Sequence, residues 1–176
     1  MRNILLALAL CLIAIIAGAY LFFGSSRDLT GVTDQTAQVA NAPITNVSVP
    51  FTVIDAGGYA QKVTERKNVA VRDEEAYTEL WEMVRGAQDT APPAVDFDTE
   101  YVIGVFAGEK SSGGHTIEVL NVTDEDLTRT LSVAITAPGA GCMVTQAITS
   151  PYQLIRVPVS MNAHVAQDTQ VESPCE

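Results

Sequence analysis

Histidine, cysteine and basic charge are scarce in this sequence, and each scarcity removes a class of function. Two histidines exclude a three-histidine metal centre, and three cysteines are too few for a four-cysteine zinc site or a disulfide scaffold. Lys and Arg total 10 against 21 Asp and Glu, a net charge of −11. That balance leaves no basic surface for a nucleic-acid backbone or for docking the folded part on an anionic membrane. Aromatics amount to 6% of residues with a single Trp, which counts against an aromatic-lined ligand pocket. No G-x-S-x-G occurs to mark a serine nucleophile. Gly108-Glu109-Lys110-Ser111 is not a phosphate loop: Glu109 stands where a Gly must precede the Lys, and a strand pattern follows instead of a helix N-terminus. Asp124-Glu125-Asp126 lacks the alternating ligands and central Gly of a calcium loop and reads as a solvated acidic loop. Asn46-Val47-Ser48 and Asn121-Val122-Thr123 match the glycosylation triplet, a match too common by chance to bear weight.

What is abundant is apolar residue, 47% against 18% charged, and the N-terminus explains the imbalance. Ile4 to Phe23 contains no charge. A helix of that length spans about 30 Å, the thickness of a bilayer hydrocarbon core. Arg2 precedes the run, while Arg27 and Asp28 nearly cancel after it, so the expected orientation is N-terminus in the cytoplasm and the remainder exported. Ala17-Gly18-Ala19 offers a signal-peptidase site after Ala19, but Tyr20-Leu21-Phe22-Phe23 continues the apolar run past it, and an uncleaved signal anchor is preferred. Lipidation at Cys11 is disfavoured by Leu10 before it and by the short upstream segment; Cys11 reads as an apolar residue of the span.

The organisation expected is a transmembrane anchor over 1–23, a flexible tether over 24–46 and a β-rich domain over 47–176. The tether is rich in Thr, Ala, Gln, Ser and Gly without hydrophobic period, giving a reach of about 26 Å. In the domain, Val47–Ile54 reads as a first strand and Asp55-Ala56-Gly57-Gly58 as a turn. A second extended stretch runs over Tyr59–Arg72, with a hairpin around Glu65-Arg66. Asp73 is the N-cap of a helix over about 73–85: Tyr77, Leu80, Trp81 and Val84 recur on one face, Glu75, Glu79 and Glu82 on the other, and Gly86 closes it. Tyr101–Ala107 is apolar at every position, as a central strand is. His115–Val122 and Arg129–Ala137 alternate, and Val144–Ile148 and Tyr152–Val159 read as further short strands. Asp96 and Asp98 are expected to cap turns. The fold class is therefore α+β, mostly β: an antiparallel sheet or sandwich with one covering helix.

Cys142 and Cys175 are the two cysteines outside the apolar run, and an exported domain keeps such a pair oxidised, so a disulfide between them is expected. It would fix a C-terminal tail with few apolar residues.

Several segments taken together carry a resemblance: Val95-Asp96-Phe97 before the apolar strand, Gly108-Glu109-Lys110-Ser111-Ser112-Gly113-Gly114-His115, the strand ending at Pro138-Gly139, and Thr149-Ser150-Pro151-Tyr152. At this spacing, over about 70–160, they resemble the PrcB C-terminal domain family, bacterial envelope proteins named for a subunit of a surface protease complex. His115 stands where that family usually shows Tyr. The resemblance implies a non-enzymatic accessory domain and brings no catalytic residues with it.

The function expected is a membrane-tethered, extracytoplasmic protein-binding module that assists a surface protease complex. It would use no cofactor and no metal and make no nucleic-acid contact, and the membrane would be met through the N-terminal helix alone. The candidate contact loops hold Lys110, Ser111, Gly113, Gly114, His115, Pro151 and Tyr152, placed near opposite ends of core strands. An exported binder of a peptide or glycan is the alternative reading, and a hydrolase the third.

Overall fold

The computed structural model describes residues 46–86 and 91–175. The expected anchor and all but the last residue of the expected tether lie outside them. Among the described residues no helix is long and apolar enough to cross a membrane.

Among the described residues eight strands form two four-stranded sheets. The strands are β1 (Val47–Ser48), β2 (Thr52–Gly57), β3 (Lys67–Val71), β4 (Glu100–Phe106), β5 (Thr116–Glu125), β6 (Thr128–Pro138), β7 (Tyr152–Pro158) and β8 (Ala163–Ser173), with one helix, α1 (Glu74–Arg85), between β3 and β4. One sheet has the order β1-β5-β6-β8 and the other β2-β7-β4-β3. Tyr101, Ile103 and Val105 of β4 face Ile117, Val119 and Val122 of β5 and Leu131, Val133 and Ile135 of β6 in the core between the sheets. Val102 and Phe106 point the other way, with Leu154 and Tyr152 of β7, against Tyr77, Leu80, Trp81 and Val84 of α1. The second sheet is thus covered on both faces, which is why Tyr101–Phe106 is buried throughout and shows no alternation.

The helix follows the sequence signals closely. The Asp73 carboxylate accepts from the Ala76 N–H at 2.8 Å, Glu74 and Glu75 lie in the first turn, and Gly86 takes φ 86° while its N–H donates to the Glu82 carbonyl. Asp96 caps its turn as expected, accepting from the Asp98 N–H at 3.1 Å and the Thr99 hydroxyl at 3.0 Å.

Six expectations are corrected. Val47–Ile54 is two strands in different sheets: the Val49 N–H still donates to Val122, but Pro50 has no N–H to continue the ladder and the chain crosses over. Asp55-Ala56-Gly57 is strand instead of turn. Gly57 pairs with Tyr152, and any Cβ there would come within 2.9 Å of that ring, so the glycine admits a neighbour and does not reverse the chain. Tyr59–Arg72 contains one strand, β3, and no hairpin, and 144–148 contains no strand. Asp124 and Glu125 belong to β5, whose hairpin to β6 turns at Asp126 and Leu127, Asp126 taking φ 51°. The sheet is not purely antiparallel, because β8 runs parallel to β6 through eleven residue pairs from Thr128↔Ala163 to Pro138↔Ser173. The Cys142–Cys175 disulfide is present, with Cα atoms 5.1 Å apart, and the tail it holds is this strand.

Candidate functional site

The two candidate loops, expected apart, are joined. Lys110 and Thr149 exchange backbone hydrogen bonds at 2.8 and 3.0 Å, and the Thr149 hydroxyl donates to the Ser112 carbonyl at 2.8 Å. Gly113 donates its N–H to Thr145, and Pro151 accepts from the Ala107 N–H. The reason is local chemistry. Loop 108–115 leaves β4 where β7 begins, so the loop and the residues before Tyr152 satisfy each other's backbone groups. Gly108 takes φ 75° with its Cα against the backbone of Thr64–Arg66, where a side chain would lie within 2.8 Å of main-chain atoms.

Ser150 is the hub of this cluster and was not singled out from the sequence. It is fully buried; its hydroxyl donates to the Val63 carbonyl at 2.5 Å, its N–H donates to Gly58, and its carbonyl accepts from Ala60. Gln153 was missed in the same way: its side-chain oxygen accepts from the Val119 N–H at 2.8 Å, at the point where the β5–β6 register shifts. Ser150 lies inside the Thr149–Tyr152 element, but nothing in that element marks a buried hydroxyl, and Gln153 after it belongs to no period or motif.

The seven candidate residues therefore divide. Gly113 and Pro151 are buried in the joint between the loops, and Ser111 is exposed on its outside. Gly114, exposed, takes φ 81° ahead of β5. Lys110 is half-buried at the joint, and His115 and Tyr152 border open space. A cleft of about 310 Å³ is lined by Gly57, Gly58, His115, Thr116, Ile117 and Tyr152. A second, of about 290 Å³, shares Gly57, Gly58 and Tyr152 with it and has Tyr59 and Arg85 in its wall. The His115 ring is half-buried 3.4 Å from the Ser112 hydroxyl. Burial, and then the charge of Lys110, hold its imidazole below the ordinary value of 6.5, so it is neutral at neutral pH. Tyr152 donates its hydroxyl to Asp55 at 2.8 Å, and Arg85 grips the same carboxylate at 2.6 and 2.9 Å. Tyr152 also stacks on Phe106. The cleft thus offers a neutral imidazole, a rigidly held aromatic wall and glycine backbone, with the exposed Tyr59 and Ile148 nearby in sequence to its walls.

Loop 108–115, its partner segment 149–152 and the two strands that lead to them fall within one stretch. Residues 101–158 match the family model described as PrcB C-terminal. The resemblance read from the turn and the T-S-P-Y element is supported there, and the match begins and ends with the paired central strands β4 and β7. No curated protein and no solved structure matches the chain. In this PrcB-like stretch the glycine-rich turn and Thr149–Tyr152 form one hydrogen-bonded unit, from which His115 and Tyr152 reach the cleft.

Proposed function

We propose that the β-rich domain is an extracytoplasmic protein-binding module, held near the membrane by the N-terminal apolar run and acting as an accessory to a surface protease complex. The observation that carries this reading is the PrcB C-terminal match over 101–158. The uncharged run Ile4–Phe23 with Arg2 before it supports the tethering. The domain acts by contact and not by catalysis: a cleft walled by a neutral imidazole and a fixed aromatic suits the side chains of a protein partner. A domain on a short leash meets other membrane proteins at raised effective concentration, so modest affinity suffices.

The test is a crosslinking pulldown from intact cells with the native chain, Lys110→Ala and His115→Ala, beside the thermal stability of each. Loss of a protease-containing partner at unchanged stability supports the reading. Retention of the partner by both variants removes the cleft from the interface, and a substrate whose turnover His115→Ala abolishes would replace binding by catalysis. Surface proteolysis of intact cells tests the tether: the domain is expected to be released while an N-terminal remnant stays with the membrane.

A further inference from the structure

Buried charge collects at one end of the interface between the sheets. Arg129 of β6 is 2% exposed and Tyr101 of β4 is 0% exposed. The Arg129 Nε and Nη2 atoms donate to the Asp124 carboxylate of β5, each at 2.7 Å. Its Nη1 donates to the Pro158 carbonyl at 2.6 Å and to the Tyr101 hydroxyl oxygen at 3.2 Å. Arg72, which follows β3, lies over the Tyr101 ring at 4.3 Å from its centre. β8 enters this network through one side chain. His164, the register partner of Arg129, places Nε2 2.5 Å from the Tyr101 hydroxyl.

The hydrogen positions follow from the donors. Tyr101 accepts from Arg129, and in the neutral network its own hydrogen is directed to His164 Nε2, the unprotonated acceptor of that tautomer. A proton on that nitrogen removes the acceptor and turns two donors on one hydroxyl oxygen. It also places a third cation beside Arg72 and Arg129, with Asp124 as the one carboxylate of the group. From β3 the neighbouring side chains are Asn68 and Ala70, which do not titrate.

Backbone bonds also hold the leading part of β8, through its ladder to β6 and the Ala163 N–H donated to the Leu127 carbonyl at 2.9 Å, and its other side-chain and covalent ties lie further along it. Asp168 pairs with Arg66 at 2.5 Å, the Gly139 N–H donates to the Ser173 carbonyl, and the disulfide holds Cys175. We propose that His164 is an acid-released latch, whose protonation frees the leading part of β8, residues 163–167, from β6 while the disulfide retains the trailing end. Release uncovers the β6 edge and opens the cleft of about 210 Å³ floored by Ile103 and Leu131. Burial first, then Arg72 and Arg129, keep the imidazole below its ordinary 6.5. With the folded value depressed, the attachment is complete above 6.5 and is lost as pH falls from there through the folded value.

The experiment is hydrogen–deuterium exchange of the 163–170 segment in the full chain in detergent micelles, at about pH 7.5 and about pH 5, where an unperturbed imidazole changes charge. Native protein and His164→Gln, which keeps a neutral acceptor for Tyr101, are compared after correction for intrinsic exchange. The native segment is expected to exchange roughly two- to tenfold faster at the lower pH, as loss of one net hydrogen bond predicts, and the variant not to. Equal pH response in both overturns the latch. If the variant fails to fold, the imidazole of His115→Ala, which retains His164 alone, is titrated by NMR. Titration below 6.5 accompanied by faster 163–167 exchange is expected; titration at or above 6.5 overturns the proposal.

Discussion

Single residues set the sharpest costs in this domain. Tyr77 is buried on the inner face of α1, and among the described residues its hydroxyl has no hydrogen-bond partner. Burial, reinforced by Asp55, pushes its ionisation up to about 12. Its ring packs edge-on against Trp81 and Phe97. Tyr77→Phe keeps both ring contacts and removes the unsatisfied oxygen, so it is expected to stabilise the domain by about 1 kcal/mol in urea unfolding. Arg129 is the opposite case, a buried cation with each guanidinium nitrogen hydrogen-bonded. Arg129→Met strands Asp124 beside the core and is expected to cost about 3 kcal/mol. It also removes an acid dependence. The Arg129 hydrogen bonds hold the Asp124 carboxyl below its ordinary 3.8. The native domain therefore has that stabilisation in full above 3.8 and loses it as pH falls through the folded value, and the variant should lose less over the same range. Unfolding midpoints measured down the acid limb check both.

Among the elements, β8 depends most on what lies outside itself. All but His164, Ala166 and Ser173 of its eleven residues are exposed. It adds little apolar burial and is held by its ladder to β6, the His164 contact and the Cys142–Cys175 bond. Closing a loop with sequence separation 33 stabilises by about 3–4 kcal/mol through the unfolded chain. Cys175→Ser should therefore lower stability by that order, with the loss of amide protection concentrated in 163–173. Uniform loss over both sheets would show that β8 is integral to the core and not an appended edge. The helix is the contrasting element: its cap, charge order and apolar stripe are local, and it needs the sheet only as a surface to cover.

For the whole molecule, charge governs encounter. Arg2 is the one charged residue of the first 23, so the rest of the chain is more acidic than the net −11. Association with a partner is expected to slow and weaken as salt is added, since exposed charges are screened beyond about 10 Å at moderate ionic strength. Association rates measured across a salt series check this. A salt-independent rate would place the contact in the apolar cleft walls alone.

The helix 74–85, the central strand at 101, the hairpin partners β5 and β6, the disulfide pair and the PrcB-like turn were legible in the sequence because each rests on short-range pattern: a cap, a period, a pair of cysteines, a spaced motif. Tertiary structure alone decided the rest. Whether Val47–Ile54 served one sheet or two depended on which ladders could accept it, and Gly57 became strand because Tyr152 lies against it. β8 has too few apolar residues to announce itself, and its parallel ladder comes from β6, far away in the chain. The joining of 108–115 to 149–152, the buried Ser150 and Gln153, and the meeting of His164 with Tyr101 and Arg129 are contacts between distant segments. A buried polar group is defined by the partner that satisfies it, and composition and periodicity hold no record of that partner.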